Sequence, residues 1–143
     1  GFFTKDKTGK MHQAPFAKVP DAVKTTHAIK WNINYWNPEV KPGNIYNVPI
    51  QIVPSVNPLT LQKGDTYQIR VFKNGKPYAN APLIKDVIND LTNESTTDAN
   101  GYATLTVSAN GLNVVGVEVA GDKEDEHTTP KYFSSLSFII DPE

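Results

Sequence analysis

Three histidines, His12, His27 and His127, are the only imidazoles in this 143-residue chain, and cysteine is absent. Thiolate metal sites, iron–sulfur clusters, disulfides and cysteine nucleophiles are therefore excluded. No two histidines stand within four residues of each other, so neither an HExxH helix nor a local imidazole pair is encoded. What remains is the run Asp122-Lys123-Glu124-Asp125-Glu126-His127, in which an imidazole follows three consecutive carboxylates. Imidazole with carboxylate suits nickel, cobalt or zinc, and the negative run attracts a divalent cation. The same composition also describes a solvated acidic loop between two strands. His127 with Glu126 or Asp125 is the candidate ligand set, and His27 joins it if the fold brings it close. His12 lies in a polar segment with less support.

A second constellation is aromatic. Trp31, Ile33 and Tyr35 alternate with Asn32 and Asn34, which is the pattern of a strand with one apolar face. Trp31, Tyr35 and Trp36 can stack against a sugar or a peptide, or bury against a sheet. Trp36 falls out of phase and is expected to be exposed. The segment Thr97-Asp98-Ala99-Asn100-Gly101-Tyr102 begins like a calcium loop. Such a loop needs a glutamate at its twelfth position, where this chain has Ala109. It reads instead as a turn capped by the Asp98 carboxylate, with Asn100 and Gly101 tolerating positive φ. No GxSxG elbow, GxGxxG turn or P-loop is present. Nothing orders a serine and a histidine into a triad, and the chain is read as not an enzyme.

The elements that must carry these residues are short strands. Hydrophobic residues make up 38% of the chain, enough for a packed core. Fourteen basic against fifteen acidic residues leave a net charge of -1, without the basic excess of a nucleic-acid binder. Eleven prolines and nine glycines punctuate runs of β-type residues. Alternation marks strands at Ile45–Val53, Thr66–Phe72, Tyr102–Val107, Leu112–Val119 and Phe133–Ile140. Asn74-Gly75 predicts a tight hairpin into a return strand over Ala81–Ile88, and Asn110-Gly111 predicts a further turn. Asn89–Ala99 reads as a polar loop. Asp21–Lys30 is the one modestly helical stretch, with Pro20 at its first turn. Residues 1–44 read as an irregular N-terminal arm packed on the same domain as a core over residues 45–143. The expected fold is all-β: an immunoglobulin-like or transthyretin-like β-sandwich of about seven strands. No apolar run approaches the roughly 20 residues of a membrane span.

Three segments then resemble a known family in their order. They are Pro49–Thr66, with its Gln51-Ile52-Val53-Pro54 and Leu61-Gln62-Lys63-Gly64-Asp65; Val71–Pro82 with Thr97–Gly101; and Tyr132–Phe138. Lys18–Val23 resembles a piece upstream of that core. Together they resemble a bacterial family of uncharacterised periplasmic domains described as the periplasmic component of cobalt or nickel transport (NikM-like). The chain looks like the C-terminal portion of such a protein. The resemblance implies a β-sandwich, a periplasmic location and a link to transition-metal uptake. Taken with the acidic run, it leads to the expectation of a module that captures or presents a divalent transition metal (nickel, cobalt or zinc) for membrane metal-importer components. The competing expectation is a structural or adhesion-type module that binds a protein or glycan through Trp31, Tyr35 and Trp36.

Overall fold

The computed structural model describes residues 1–141. Among them the only helices are two 3-10 turns, Phe16–Lys18 and Pro58–Thr60, and the fold is all-β. The strands in chain order are β1 (Phe2–Asp6), β2 (Met11–His12), β3 (Ala22–Tyr35), β4 (Ile50–Pro54), β5 (Thr66–Lys73), β6 (Lys76–Pro77), β7 (Pro82–Asp86), β8 (Asp90–Thr96), β9 (Tyr102–Thr106), β10 (Gly111–Ala120) and β11 (Thr128–Ile140). The chain divides into two compact units. One comprises residues 1–30 with 119–133; the other comprises residues 31–118 with the segment from Ser134 onward.

The larger unit is an immunoglobulin-like sandwich of two sheets. One sheet orders its strands β3-β11-β10-β7-β8. In the other, β5 is central, with β4 on one edge and β6 and β9 on the opposite edge. Period-two alternation builds the core between them. Tyr67, Ile69 and Val71 of β5 point inward, as do Val115 and Val117 of β10 and Leu136 and Phe138 of β11. The Tyr67 and Phe138 rings meet edge to face with centroids 5.9 Å apart, so this one contact joins the two sheets.

Asn74 (φ 50°) and Gly75 (φ 78°) form the two-residue hairpin turn that their sequence predicts, pairing Lys73 with Lys76. The return strand departs from expectation. Its ladder with β5 ends at Pro77, followed by one more bond from the Tyr78 amide to the Val71 carbonyl (2.9 Å); then Asn80 (φ 55°) redirects the chain, and β7 joins β10 in the other sheet. The buried Thr97 hydroxyl fixes this crossing: it accepts from the Ala81 amide (2.8 Å) and donates to the Tyr78 carbonyl (2.7 Å). The second crossing, from β9 to β10, is held by buried Asn113. Its side-chain oxygen accepts from the amides of Ser108 and Ala109 and from the Ser108 hydroxyl, and its amide donates to the Ala109 carbonyl. Asn89–Ala99, expected as a polar loop, contains β8. The Asp86 carboxylate accepts from the Asn89 amide (3.0 Å) to cap the turn, and an exposed edge strand needs no apolar face.

In the smaller unit β2, β1, β3 and β11 lie in that order. Of the stretch Asp21–Lys30, residues 22–30 are extended, as the start of β3, and not helical. Asp21 takes φ 57°, which breaks any helix at its first turn. The β-branched Thr25 and Thr26 then pair with Thr4 and Phe3 of β1. Thr4 and Thr25 are both buried, and their hydroxyls bond at 2.6 Å. The segment expected to be an irregular arm therefore carries β1, β2 and β3.

Candidate functional site

All three histidines lie in the smaller unit, and each imidazole meets a carboxylate. The acidic run between β10 and β11 is an ordered turn. The Asp125 carboxylate accepts from the amides of His127 and Thr128, both at 2.8 Å, and the Glu124 amide donates to the Thr128 carbonyl at 2.9 Å. These amides, His127 foremost, hold the Asp125 carboxyl below the usual carboxylate range. Asp125 thus acts as the cap of its own turn. His127 stacks flat on Phe16, centroids 3.9 Å apart, and its Nε2 lies 3.0 Å from Glu126 Oε1.

His27 sits on β3 opposite Phe2, and the two rings stack with centroids 4.1 Å apart. The Thr25 amide donates to the His127 carbonyl at 2.8 Å, which ties β3 to the acidic turn. Glu124, not Asp125 or Glu126, then reaches His27: its Oε2 lies 2.8 Å from Nδ1. A neutral ring that donates its Nδ1–H to this carboxylate keeps the Nε2 lone pair for a metal. Glu124 belongs to the acidic run but lies outside the expected ligand set, because strand order, not spacing, brings it to His27. Among the described residues no three histidine, aspartate or glutamate side chains converge as a metal cluster.

The third pair is structural. Asp6 Oδ1 accepts from the Thr8 hydroxyl and from the amides of Thr8 and Lys10, and Oδ2 lies 2.7 Å from His12 Nε2. The Thr8 hydroxyl first, then His12, hold the Asp6 carboxyl far below its ordinary range. A depressed folded-state value means stabilisation that is complete above the unfolded carboxylate value, about 3.9, and is lost as pH falls toward the folded one. Asp90, Asp98 and Asp125 shift in the same direction. Thermal midpoints should therefore be flat above about pH 5 and fall below about pH 4. Asp6→Asn should make that acid limb shallower while lowering the neutral midpoint.

In the larger unit the aromatic residues separate. Trp31, Ile33 and Tyr35 are half-buried, whereas Trp36 is 81% exposed, as its phase predicts. Tyr35 and Trp36 line two cavities, of about 130 and about 800 Å3; Trp31 lines neither. The smaller cavity is walled in part by Asn44 and Tyr46, which the buried Gln51 holds: its amide donates to the Asn44 carbonyl and its carbonyl accepts from the Tyr46 amide. The Tyr35 phenol is pushed up by burial and by charge repulsion from Tyr46.

Fold and site together define an all-β, immunoglobulin-like module with histidine–carboxylate pairs in the smaller unit and an aromatic groove in the larger. The chain belongs to an uncharacterised family, the domain of unknown function DUF4198, whose pattern matches residues 1–121. No curated protein and no solved structure matches it.

Proposed function

We propose that the chain is a non-catalytic periplasmic binding module that presents a divalent transition metal, nickel or cobalt, to the membrane components of an importer. The observation that carries this reading is the His27–Glu124 pair, made at 2.8 Å across 97 residues of sequence. The order of sequence motifs that resembles NikM-like periplasmic domains supports the location and the cargo. His27 Nε2 is the ligand atom, and Glu124 fixes the orientation and tautomer of the ring. His127 and Glu126 are further imidazole and carboxylate donors on the turn whose His127 carbonyl accepts from the Thr25 amide of β3, whereas Asp125 is engaged by backbone amides. A site with so few protein ligands leaves coordination positions to water or to a receiving protein. That suits handing a metal on rather than sequestering it.

Calorimetric titration of the metal-stripped protein with nickel, cobalt and zinc at neutral pH tests the reading. Saturable binding of one metal is expected, abolished in His27→Ala. Glu124→Gln should weaken it by about 10–100-fold, the usual effect of removing a carboxylate that orients a ligating histidine. Acidification should also weaken it, because a protonated imidazole has no lone pair to offer. Absence of binding, or full binding by His27→Ala, would overturn the assignment.

A further inference from the structure

The larger unit's cavity of about 800 Å3 is open to solvent and shares no residue with the histidine unit. Its volume lies within the range of sites that take small organic ligands. Three features of its wall bear on what that ligand is. First, Trp36 leaves 81% of its surface in water, and Ile139 beside the same cavity leaves 57%. A large aromatic face held in water at a cavity rim marks a contact surface. Second, Asn34, Gln62 and Asn110 line the cavity with amides, and none has a side-chain hydrogen bond among the described residues. Asn32, two residues before Asn34 on β3, is by contrast fully engaged with Ser135 and Ser137. Third, formal charge on the wall is balanced, with Lys63 as its cation and Asp141 as its anion.

We propose that this groove binds a neutral oligosaccharide, with Trp36 stacked on a sugar ring and Asn34, Gln62 and Asn110 bonding its hydroxyls. A pyranose presents C–H groups on its faces and hydroxyls around its rim. An indole is apolar across its face, and an amide both donates and accepts, so each meets its complement. The balanced wall gives no electrostatic preference for an acidic or basic chain. The walls come from the end of β3, the turn after the second 3-10 helix, the β9–β10 turn and the end of β11. Strand ends of a rigid sandwich are where loops can form such a site without disturbing the core.

The test titrates the intact protein with soluble oligomers of glucose, mannose and N-acetylglucosamine, and with polygalacturonate as a charged control. Binding is read by calorimetry and by tryptophan fluorescence in a Trp31→Phe background, where Trp36 is the remaining reporter. At least one neutral oligomer should bind saturably, and Trp36→Ala should lower its affinity about tenfold or more. Trp36→Phe should retain most of the affinity, because it keeps an aromatic face. Trp36 is exposed, so neither variant should change the thermal midpoint. The proposal is overturned if no neutral oligomer binds, if binding survives Trp36→Ala, or if polygalacturonate binds in preference. Capture of unstructured peptides through Trp36 without any sugar binding would assign the groove to a protein partner and also overturn it. Chelator leaves the expected result unchanged, so loss of the metal-presenting role and loss of this one are separately visible.

Discussion

Phe138→Ala is expected to destabilise the protein by about 3–5 kcal/mol. Phe138 is fully buried, its ring meets Tyr67 edge to face, and the pair spans the two sheets of the sandwich. Truncation removes the transfer free energy of the ring and leaves a void that a sheet-to-sheet interface closes poorly. It also removes an aromatic pair worth about 0.5–1.5 kcal/mol beyond its area. Against a typical total of about 5–15 kcal/mol, the thermal midpoint should fall by about 10 °C or more. Ile139→Ala, one residue on, is the control. Its side chain faces outward at 57% exposure, and its loss should cost less than about 1 kcal/mol. A second readout separates loss of this contact from general loosening. Burial holds the Tyr67 phenol well above the ordinary tyrosine range. Opening the site beside it should bring its spectrophotometric titration down toward that range. Equal midpoint losses for the two variants would mean that Phe138 is not the contact that joins the sheets.

Phe138 is legible in the sequence because it lies in an alternating run, and so are Tyr67, Ile69 and Val71. A strand buried on one face writes its period into side-chain type. The Asn74-Gly75 turn and the exposure of Trp36 are legible for related reasons, one steric and one of phase. β8 is not. Apart from the exposed Leu91 its residues are polar on both faces, and it is ordered by ladder bonds between its backbone and that of β7. The start of β3 escapes the periodicity because its buried residue, Thr25, is polar and satisfied by the hydroxyl of Thr4 on β1, not by an apolar stripe. The crossing from β6 to β7 escapes it because a hairpin turn specifies a return but not how long the pairing lasts. The site follows the same division. The imidazoles and carboxylates are visible as types, but the His27–Glu124 pair depends on β3 lying beside β11, a long-range fact. The groove draws on four separate chain segments, and only its Tyr35-Trp36 wall is visible as a motif.

Gly101→Ala is expected to cost about 2–4 kcal/mol, an unusual sum for the addition of one methyl group. Gly101 is buried at φ +85°, in the turn that Asp98 caps by accepting from the Asn100 amide (2.8 Å) and the Tyr102 amide (3.0 Å). A Cβ there would stand 2.9 Å from the Val71 carbonyl oxygen and 3.1 Å from the Tyr78 amide nitrogen. Both neighbours are backbone, so neither can swing aside as a side-chain tip would. Relief requires the turn to lift from β5, which breaks the bond from the Val71 amide to the Gly101 carbonyl (2.8 Å). Gly75 isolates the conformational part of the cost. Its φ is +78°, yet nothing lies within 4 Å of an added Cβ. Gly75→Ala should therefore cost only the left-handed penalty, about 1–2 kcal/mol. Asparagine tolerates this backbone region, so Gly75→Asn should be nearly neutral. Gly101→Asn should stay as damaging as Gly101→Ala, because its Cβ meets the same two backbone atoms. Chemical denaturation of the four variants measures all of this in one series. If Gly101→Asn recovered wild-type stability, φ alone would explain the glycine, and the close approach of the Asp98 turn to β5 would not be what requires it.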